Sequence, residues 1–334
     1  MGQSPESSDT AITSESSPAA DAVLMIRPAG FGRNEVTRPT NPYQDGTSAI
    51  DPEQVAEQAR QEFDVYVSIL KRTGVEVHVF EGRTTTALPD EVFPNNWIST
   101  HPDGTAILYP MMAWNRRQER RRDILETLQQ QSFGFKIDRL IDLSHLEEDN
   151  QFLEGTGSLV FDHESRLAYA CISPRTHLDA LREFGRATDF GIITFNAHDS
   201  YGRAIYHTNV MMSIGEKFAF VCLDAIQAAD ERLRLITRLE RAGREVIELR
   251  LPQLKSFCGN IMQLRCGDKR LIVMSRRARA ALDDLQVESL QRHGDLVMFD
   301  LTTIEKIGGG SARCMLAELL LPRKSRLVGT APTD

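Results

Sequence analysis

Three residues with the chemistry for covalent hydrolysis are spread across the chain: Glu154, His207 and Cys314. Cys314 follows Gly308-Gly309-Gly310-Ser311-Ala312-Arg313, and consecutive glycines let a backbone take φ > 0 and approach another group that side chains would block. Residues 315–321 read as a buried strand ended by Pro322. A thiol at the rim of a strand, behind a loop only glycine can form, can serve as a nucleophile. A lone cysteine is more often a small core hydrophobe. Its company decides the reading: Glu154 in Phe152-Leu153-Glu154-Gly155-Thr156-Gly157 and His207 in Tyr206-His207-Thr208-Asn209 point to a thiol hydrolase site.

The elements that must position these residues repeat. Asn96-Trp97-Ile98-Ser99-Thr100 leads to a turn at Asp103-Gly104, a second strand over residues 106–110 and a charged helix from Arg116. The same order recurs from Gly157, with a turn near Glu164-Ser165 and a helix from His177. It recurs from Asn209, with a turn at Gly215-Glu216 and a helix near Gln227, and from Asn260, with a turn at Gly267-Asp268 and a helix from Arg277. Each unit closes on a further strand, such as residues 191–195 or 245–249. Self-similarity at a fixed period predicts a repeat architecture, here radial. A fifth unit is split, residues 314–321 pairing with residues 23–26 to close a ring. Ahead of the first full unit, residues 30–47 form a loop long enough to be a functional lid or binding segment, residues 52–73 an amphipathic helix, and residues 75–80 a strand.

In a radial array the residue that opens each blade's first strand faces the axis. Those openings hold Asn96, Glu154, His207 with Asn209, Asn260 and Cys314. Asparagine and glycine cap turns at such places, which suffices for Asn260. It accounts less well for a Glu, a His and a Cys at equivalent positions.

The chain has 334 residues, 41% hydrophobic and 26% charged, with a formal net charge of -8. It has the composition of an ordinary globular protein and no long basic run, which argues against nucleic acid as a partner. The basic cluster at residues 116–122 reads as the start of a solvated helix. The 5 cysteines are odd in number, form no CxxC pair and lack nearby histidines for zinc. They indicate a reduced, cytoplasmic protein with no disulfide framework, and no metal or other cofactor is expected. Residues 1–21, rich in Ser, Glu, Pro and Thr, are expected to be a disordered leader. Residues 22–334 are expected to be one catalytic domain with a short flexible tail. No apolar run approaches the roughly 18 residues of a membrane span.

These motifs resemble the guanidine-modifying superfamily of arginine deiminases, dimethylarginine dimethylaminohydrolases and amidinotransferases. The resemblance runs from Val23 to Pro322 on Phe93-Pro94-Asn95-Asn96-Trp97, Leu153-Glu154-Gly155-Thr156-Gly157-Ser158, Ile172-Ser173-Pro174-Arg175-Thr176, His207-Thr208-Asn209 and the glycine run before Cys314. Within the superfamily the chain looks most similar to the citrulline-utilising hydrolase branch. The resemblance implies a five-bladed α/β propeller, the pentein fold, of ββαβ-type repeats with pseudo-fivefold symmetry. It further implies Cys314 as nucleophile, His207 as general acid and then base, and Glu154 as holder of the substrate's nitrogen end. The side chains suit those roles. A thiolate at neutral pH needs a stabilising neighbour such as histidine, His can protonate ammonia and then deprotonate water, and an ionised Glu only accepts.

Two departures from the superfamily pattern guide the substrate reading. Arginine deiminases carry aspartates where Asn96 and Asn209 stand. Two carboxylates suit a cationic, donor-only guanidinium, whereas an amide offers a donor and an acceptor without charge and suits a neutral ureido group. The expectation is therefore a small amino-acid substrate, citrulline, hydrolysed to ornithine, carbon dioxide and ammonia through a Cys-bound intermediate. The alternatives are an arginine deiminase, a dimethylarginine dimethylaminohydrolase and, less favoured, an amidinotransferase. From another class comes an idle propeller that senses an amino acid or serves as a scaffold. Arg175 is expected to bind the substrate's α-carboxylate, against the alternative of a surface arginine at a helix start. Asn41 either reaches the ligand or caps a turn, and Arg313 faces the nucleophile or solvent. No membrane partner is expected, and a homo-oligomer is left open.

Overall fold

Each repeat folds as a three-stranded mixed sheet in the computed structural model of the chain, which describes residues 19–44, 51–84 and 88–324. Four blades run in sequence order: β3 (Ile98–Thr100), β4 (Thr105–Leu108) and β5 (Arg139–Asp142); β6 (Leu159–Asp162), β7 (Leu167–Cys171) and β8 (Gly191–Phe195); β9 (Met212–Ile214), β10 (Phe218–Val221) and β11 (Glu245–Glu248); β12 (Met262–Cys266), β13 (Lys269–Ser275) and β14 (Asp295–Phe299). The fifth joins the two ends of the chain, β15 (Ala317–Glu318) lying beside β1 (Ala22–Arg27) and β1 beside β2 (Glu76–Glu81). In every blade the inner strand is antiparallel to the middle one and the outer strand parallel to it, as in Ile98↔Leu108 and Ala106↔Leu140. A tight turn suffices for the first pairing, whereas the second requires a crossover, which supplies the outer helices. The molecule is a five-bladed α/β propeller.

Middle strands are covered on both faces and so read as continuous apolar runs. Thr105–Leu108 and Phe218–Val221 are buried throughout, while the outer strand Glu76–Glu81 is half-exposed. Helix Pro52–Thr73 matches the sequence expectation at both ends. Asp51 caps it by accepting from the Gln54 amide, and Gly74 stops it at φ 93°, where a side chain is disfavoured. Its buried stripe is Val55, Ala59, Phe63, Tyr66 and Leu70.

The ring closes through Val23↔Glu318 and Leu24↔Ala317, as the split blade required. The hydroxyl of Thr100 locks this seam, donating to Glu318 O and accepting from Leu320 N. The strand expected over residues 315–321 is shorter, because only Ala317 and Glu318 pair in register with β1. Cys314 lies ahead of it in a 3₁₀ turn, Ala312–Met315. The leader expected over residues 1–21 falls outside the described residues as far as residue 18, but Ala20 is already buried and bridged to Leu264. The C-terminal tail from residue 325 and loop residues 45–47 also lie outside them. No helix among the described residues is long and apolar enough to cross a membrane.

Candidate active site

A short helical turn precedes four of the five inner strands and points its polar residue at the axis. Pro94–Asn96 precedes β3, Gly155–Ser158 with Glu154 at its N-cap precedes β6, and Thr208–Val210 with His207 at its N-cap precedes β9. Asn96, Glu154, His207, Asn209, Asn260 and Cys314 are all buried there. Asn41, Asn96, Arg175, His207 and Cys314, distant in sequence, line one narrow cleft together with two residues the sequence reading did not single out, Asp90 and Arg116.

Around Cys314 the structure differs from expectation. The sequence reading gave the thiol a histidine neighbour, but His207 and Cys314 share a cleft without a hydrogen bond between them. Amides face the sulfur instead: Asn260 Nδ2 at 3.1 Å and Asn209 Nδ2 at 3.5 Å. His207 bonds Glu154 Oε2 through Nε2 at 2.8 Å. Burial pulls the imidazole down to about 4, against the opposing influence of Glu154, so it is neutral at pH 7. Burial would raise Glu154, but Arg175, His207 and Arg116 together outweigh it and hold the carboxyl well below the usual range. An ionised carboxylate only accepts, so Nε2 of the neutral ring carries the proton and Nδ1 is left as the basic nitrogen. Gly157 makes room for this arrangement, since a Cβ there would lie 2.7 Å from His207 Nδ1 and 2.5 Å from Asn96 Nδ2.

Arg116, expected on a solvated helix, is buried because three carboxylates converge on it. It bonds Glu119 through Nε and Nη2, and it lies 3.6 Å from Asp90 and 3.9 Å from Glu154. Its Nη1 donates to Asn96 Oδ1 at 2.9 Å. Asp90 accepts from Asn34 Nδ2 and Thr37 Oγ1 on one oxygen, and its other oxygen, Oδ1, has no partner. Here the substrate reading from two missing aspartates needs correction, because Asp90 brings a carboxylate to the cleft from a segment outside the recognised motifs. The available signal was the Asp90-Glu91 pair just ahead of Phe93-Pro94-Asn95-Asn96-Trp97.

The loop ahead of the first helix covers the cleft. Arg175 is buried, which removes the surface-arginine alternative, and it donates to Thr37 O, Thr40 Oγ1 and Glu154 Oε2. Its guanidinium also lies 4.9 Å above the Tyr206 ring. Asn41 caps a local turn, where its Oδ1 accepts from Tyr43 N, and it lines the cleft with Nδ2 donating to Gly309 O at 3.2 Å. At Gly309, φ is 66° and a Cβ would lie 2.6 Å from Asn41 Nδ2, so the middle glycine of the triplet is required twice over. Arg313 turns away from Sγ, donating to Leu316 O and Glu318 Oε2.

Three of the remaining cysteines are poor nucleophiles. Burial pushes Cys171 and Cys258 up to about 12 and Cys222 up to about 11. All five are free, and only Cys266 is half-exposed. Among the described residues no cluster of His, Cys, Asp or Glu could hold a metal ion. The cleft therefore combines a thiol flanked by amide donors, a neutral imidazole oriented by a carboxylate, and a carboxylate oxygen free to accept.

A family model described as N,N dimethylarginine dimethylhydrolase, eukaryotic, matches residues 27–321. No curated protein matches the chain. Its fold is similar to that of apo ArgZ, an arginine dihydrolase from the ornithine-ammonia cycle in cyanobacteria. The TM-score is 0.68 at 18% identity, with 91% of this chain and 41% of that one covered. The substrate-bound N-terminal domain of ArgZ matches with a TM-score of 0.66 at 19% identity, over 90% of this chain and 99% of that one. A dimethylarginine dimethylaminohydrolase adduct with S-methyl-L-thiocitrulline matches with a TM-score of 0.60 at 15% identity, over 90% and 100%. The chain thus spans 41% of full-length ArgZ, and at these identities the likeness concerns the fold.

Proposed function

Since the chain belongs to the N,N dimethylarginine dimethylhydrolase family, within the pentein superfamily, we propose that it is a cysteine hydrolase of guanidino carbon–nitrogen bonds, acting on arginine or an N-methylated arginine. The observation that carries this reading is the unpartnered Oδ1 of buried Asp90 in the same cleft as Cys314. A buried carboxylate oxygen without a donor is costly, and a guanidinium, cationic and donor-only, is the group that satisfies it. Citrulline as the first substrate is set aside, since a neutral ureido group leaves Asp90 less well paired. ArgZ and the dimethylarginine dimethylaminohydrolase, both named for guanidino substrates, support the same choice.

In this mechanism the Cys314 thiol first gives its proton to His207, and the resulting thiolate sulfur attacks the guanidino carbon. The tetrahedral adduct collapses, the carbon–nitrogen bond breaks, and the His207 imidazolium protonates the departing ammonia or methylated amine. Neutral His207 then takes a proton from water, whose oxygen adds to the same carbon. The carbon–sulfur bond breaks, releasing citrulline and regenerating the thiol. Arg175 takes the substrate's α-carboxylate once the loop contacts at Thr37 and Thr40 yield.

One observation favours a second round on the ureido product. Arg116 claims Asn96 Oδ1, so the unpartnered Asn96 Nδ2 is a donor suited to a ureido oxygen. Citrulline held there would be hydrolysed onward to ornithine, carbon dioxide and ammonia. The test is amine release from arginine, monomethylarginine, dimethylarginine and citrulline, each with a Cys314→Ala control. Citrulline formation from a guanidino substrate, lost in the control, is expected. Release from citrulline alone, or amine release that survives in the control, would overturn the reading, and silence on all four would favour an idle scaffold.

A further inference from the structure

We propose that Asn260 is a catalytic residue whose amide holds Cys314 as a thiolate nucleophile, a proposal that rests on Cys314 being the nucleophile of the reaction above. Turn capping, the ordinary role of an asparagine at a strand opening, does not describe its side chain. Oδ1 accepts from the Cys314 backbone N–H at 3.3 Å, and Nδ2 lies 3.2 Å from Asn209 O and 3.1 Å from Cys314 Sγ.

Orientation of an asparagine amide is normally inferred from its partners, and here the partners leave one choice. A backbone N–H only donates and a backbone carbonyl only accepts, so flipping the amide would set N–H against N–H and oxygen against oxygen. Nδ2 therefore faces sulfur as a donor. A donor in a fully buried position favours the ionised form of its acceptor, with no water to screen the interaction.

The backbone around Asn260 keeps the amide in place. Gly259 is pressed so closely against the next blade that a Cβ would lie 2.3 Å from Val210 O. Phe257 holds the left-handed conformation at φ 58° and accepts the Asn260 N–H through its carbonyl. The other titratable groups nearby have partners of their own: His207 bonds Glu154, Tyr206 donates to Gly309 O, and Tyr66 donates to Ala312 O. Asn209 stands at the longer distance with its Oδ1 unpartnered. That divides the two asparagines, Asn260 serving the sulfur and Asn209 offering an acceptor to the substrate.

The test is the pH profile of Cys314 alkylation by iodoacetamide, followed by peptide mass analysis of the full chain. A Cys266→Ser background removes the half-exposed thiol. No substrate is needed, so the outcome is independent of which guanidino compound is turned over. Asn260→Asp keeps an oxygen for the Cys314 N–H but replaces the donor with a carboxylate. Its alkylation at pH 7.5 should slow at least tenfold, with the profile displaced about one unit to higher pH. Should the Asp variant not fold, Asn260→Ser and Asn260→Ala make the comparison, serine retaining a donor and more of the rate. A folded Asp or Ala variant with the wild-type profile would overturn the proposal, as would wild-type Cys314 reacting no faster than buried Cys258. A displaced profile in an enzyme silent on every guanidino substrate would uphold Asn260 and refute the substrate reading.

Discussion

Arg116 Nη1 lies 2.9 Å from Asn96 Oδ1, and because a guanidinium can only donate, this contact fixes the amide with Nδ2 unpartnered. An arginine buried within a ring of carboxylates thus decides which face Asn96 offers. Asn96→Asp should keep the Arg116 contact and fold normally, but it lacks the donor. The expected result is retained conversion of guanidino substrate to citrulline with onward consumption of citrulline slowed at least tenfold. Separate progress curves for the two substrates check this, and equal slowing of both would count against a ureido-binding role for Asn96.

Removing the arginine has a different consequence. Arg116→Met leaves Glu119 and Asp90 buried without their main counter-charge, and breaking such a pair costs about 3–5 kcal/mol. Adding Glu119→Gln should recover part of that loss, since one of the stranded carboxyl groups is gone. Urea midpoints of wild type, single and double variants measure the coupling.

His207 makes stability depend on pH in a defined window. Its folded value is pulled down to about 4 from an ordinary 6.5. Between those values the unfolded chain binds more protons than the folded one, so stability falls as pH drops from about 6.5 towards 4. The loss attributable to this group is up to about 3 kcal/mol at 1.36 kcal/mol per unit. His207→Gln should flatten the plot of urea midpoint against pH in that window, and an unchanged slope would show that acid sensitivity arises elsewhere.

Gly157→Ala tests the closeness of the cleft. The new methyl would meet Asn96 Nδ2 at 2.5 Å and His207 Nδ1 at 2.7 Å, so one of the two must be displaced. Overpacking of this kind costs about 1–3 kcal/mol, which a chain of 334 residues can absorb. Turnover should fall at least 100-fold in a folded protein, measurable by amine release alongside circular dichroism.

Thiol reactivity should separate an enzyme from an idle scaffold, because burial sets the cysteines apart. Cys171, Cys222 and Cys258 are pushed up to about 12, 11 and 12 by burial and should resist alkylation at neutral pH. Cys314, with amide donors at its sulfur, should label first in the Cys266→Ser background, and equal labelling of all four thiols would favour the idle scaffold.

The sequence by itself determined the repeat, the split blade and the polar residues at the blade openings. Turn glycines, strand alternation and the stripe of helix Pro52–Thr73 are local signals, each written in a few adjacent residues. For the same reason Glu154, His207 and Cys314 stood out at equivalent places, although 160 positions separate the first from the last. What each group touches was decided only by the tertiary structure. Asp90 and Arg116 carry no motif, and a surface-looking run such as Arg116-Arg117-Gln118-Glu119 shows its buried members only when two carboxylates from other segments, Asp90 and Glu154, join Glu119 around Arg116. Asn260 reads as a turn cap until the ring closes and sets its amide against Cys314. Hydrogen-bond direction depends on which partner lies within about 3 Å, and across a closed ring that proximity is set by the packing of whole blades.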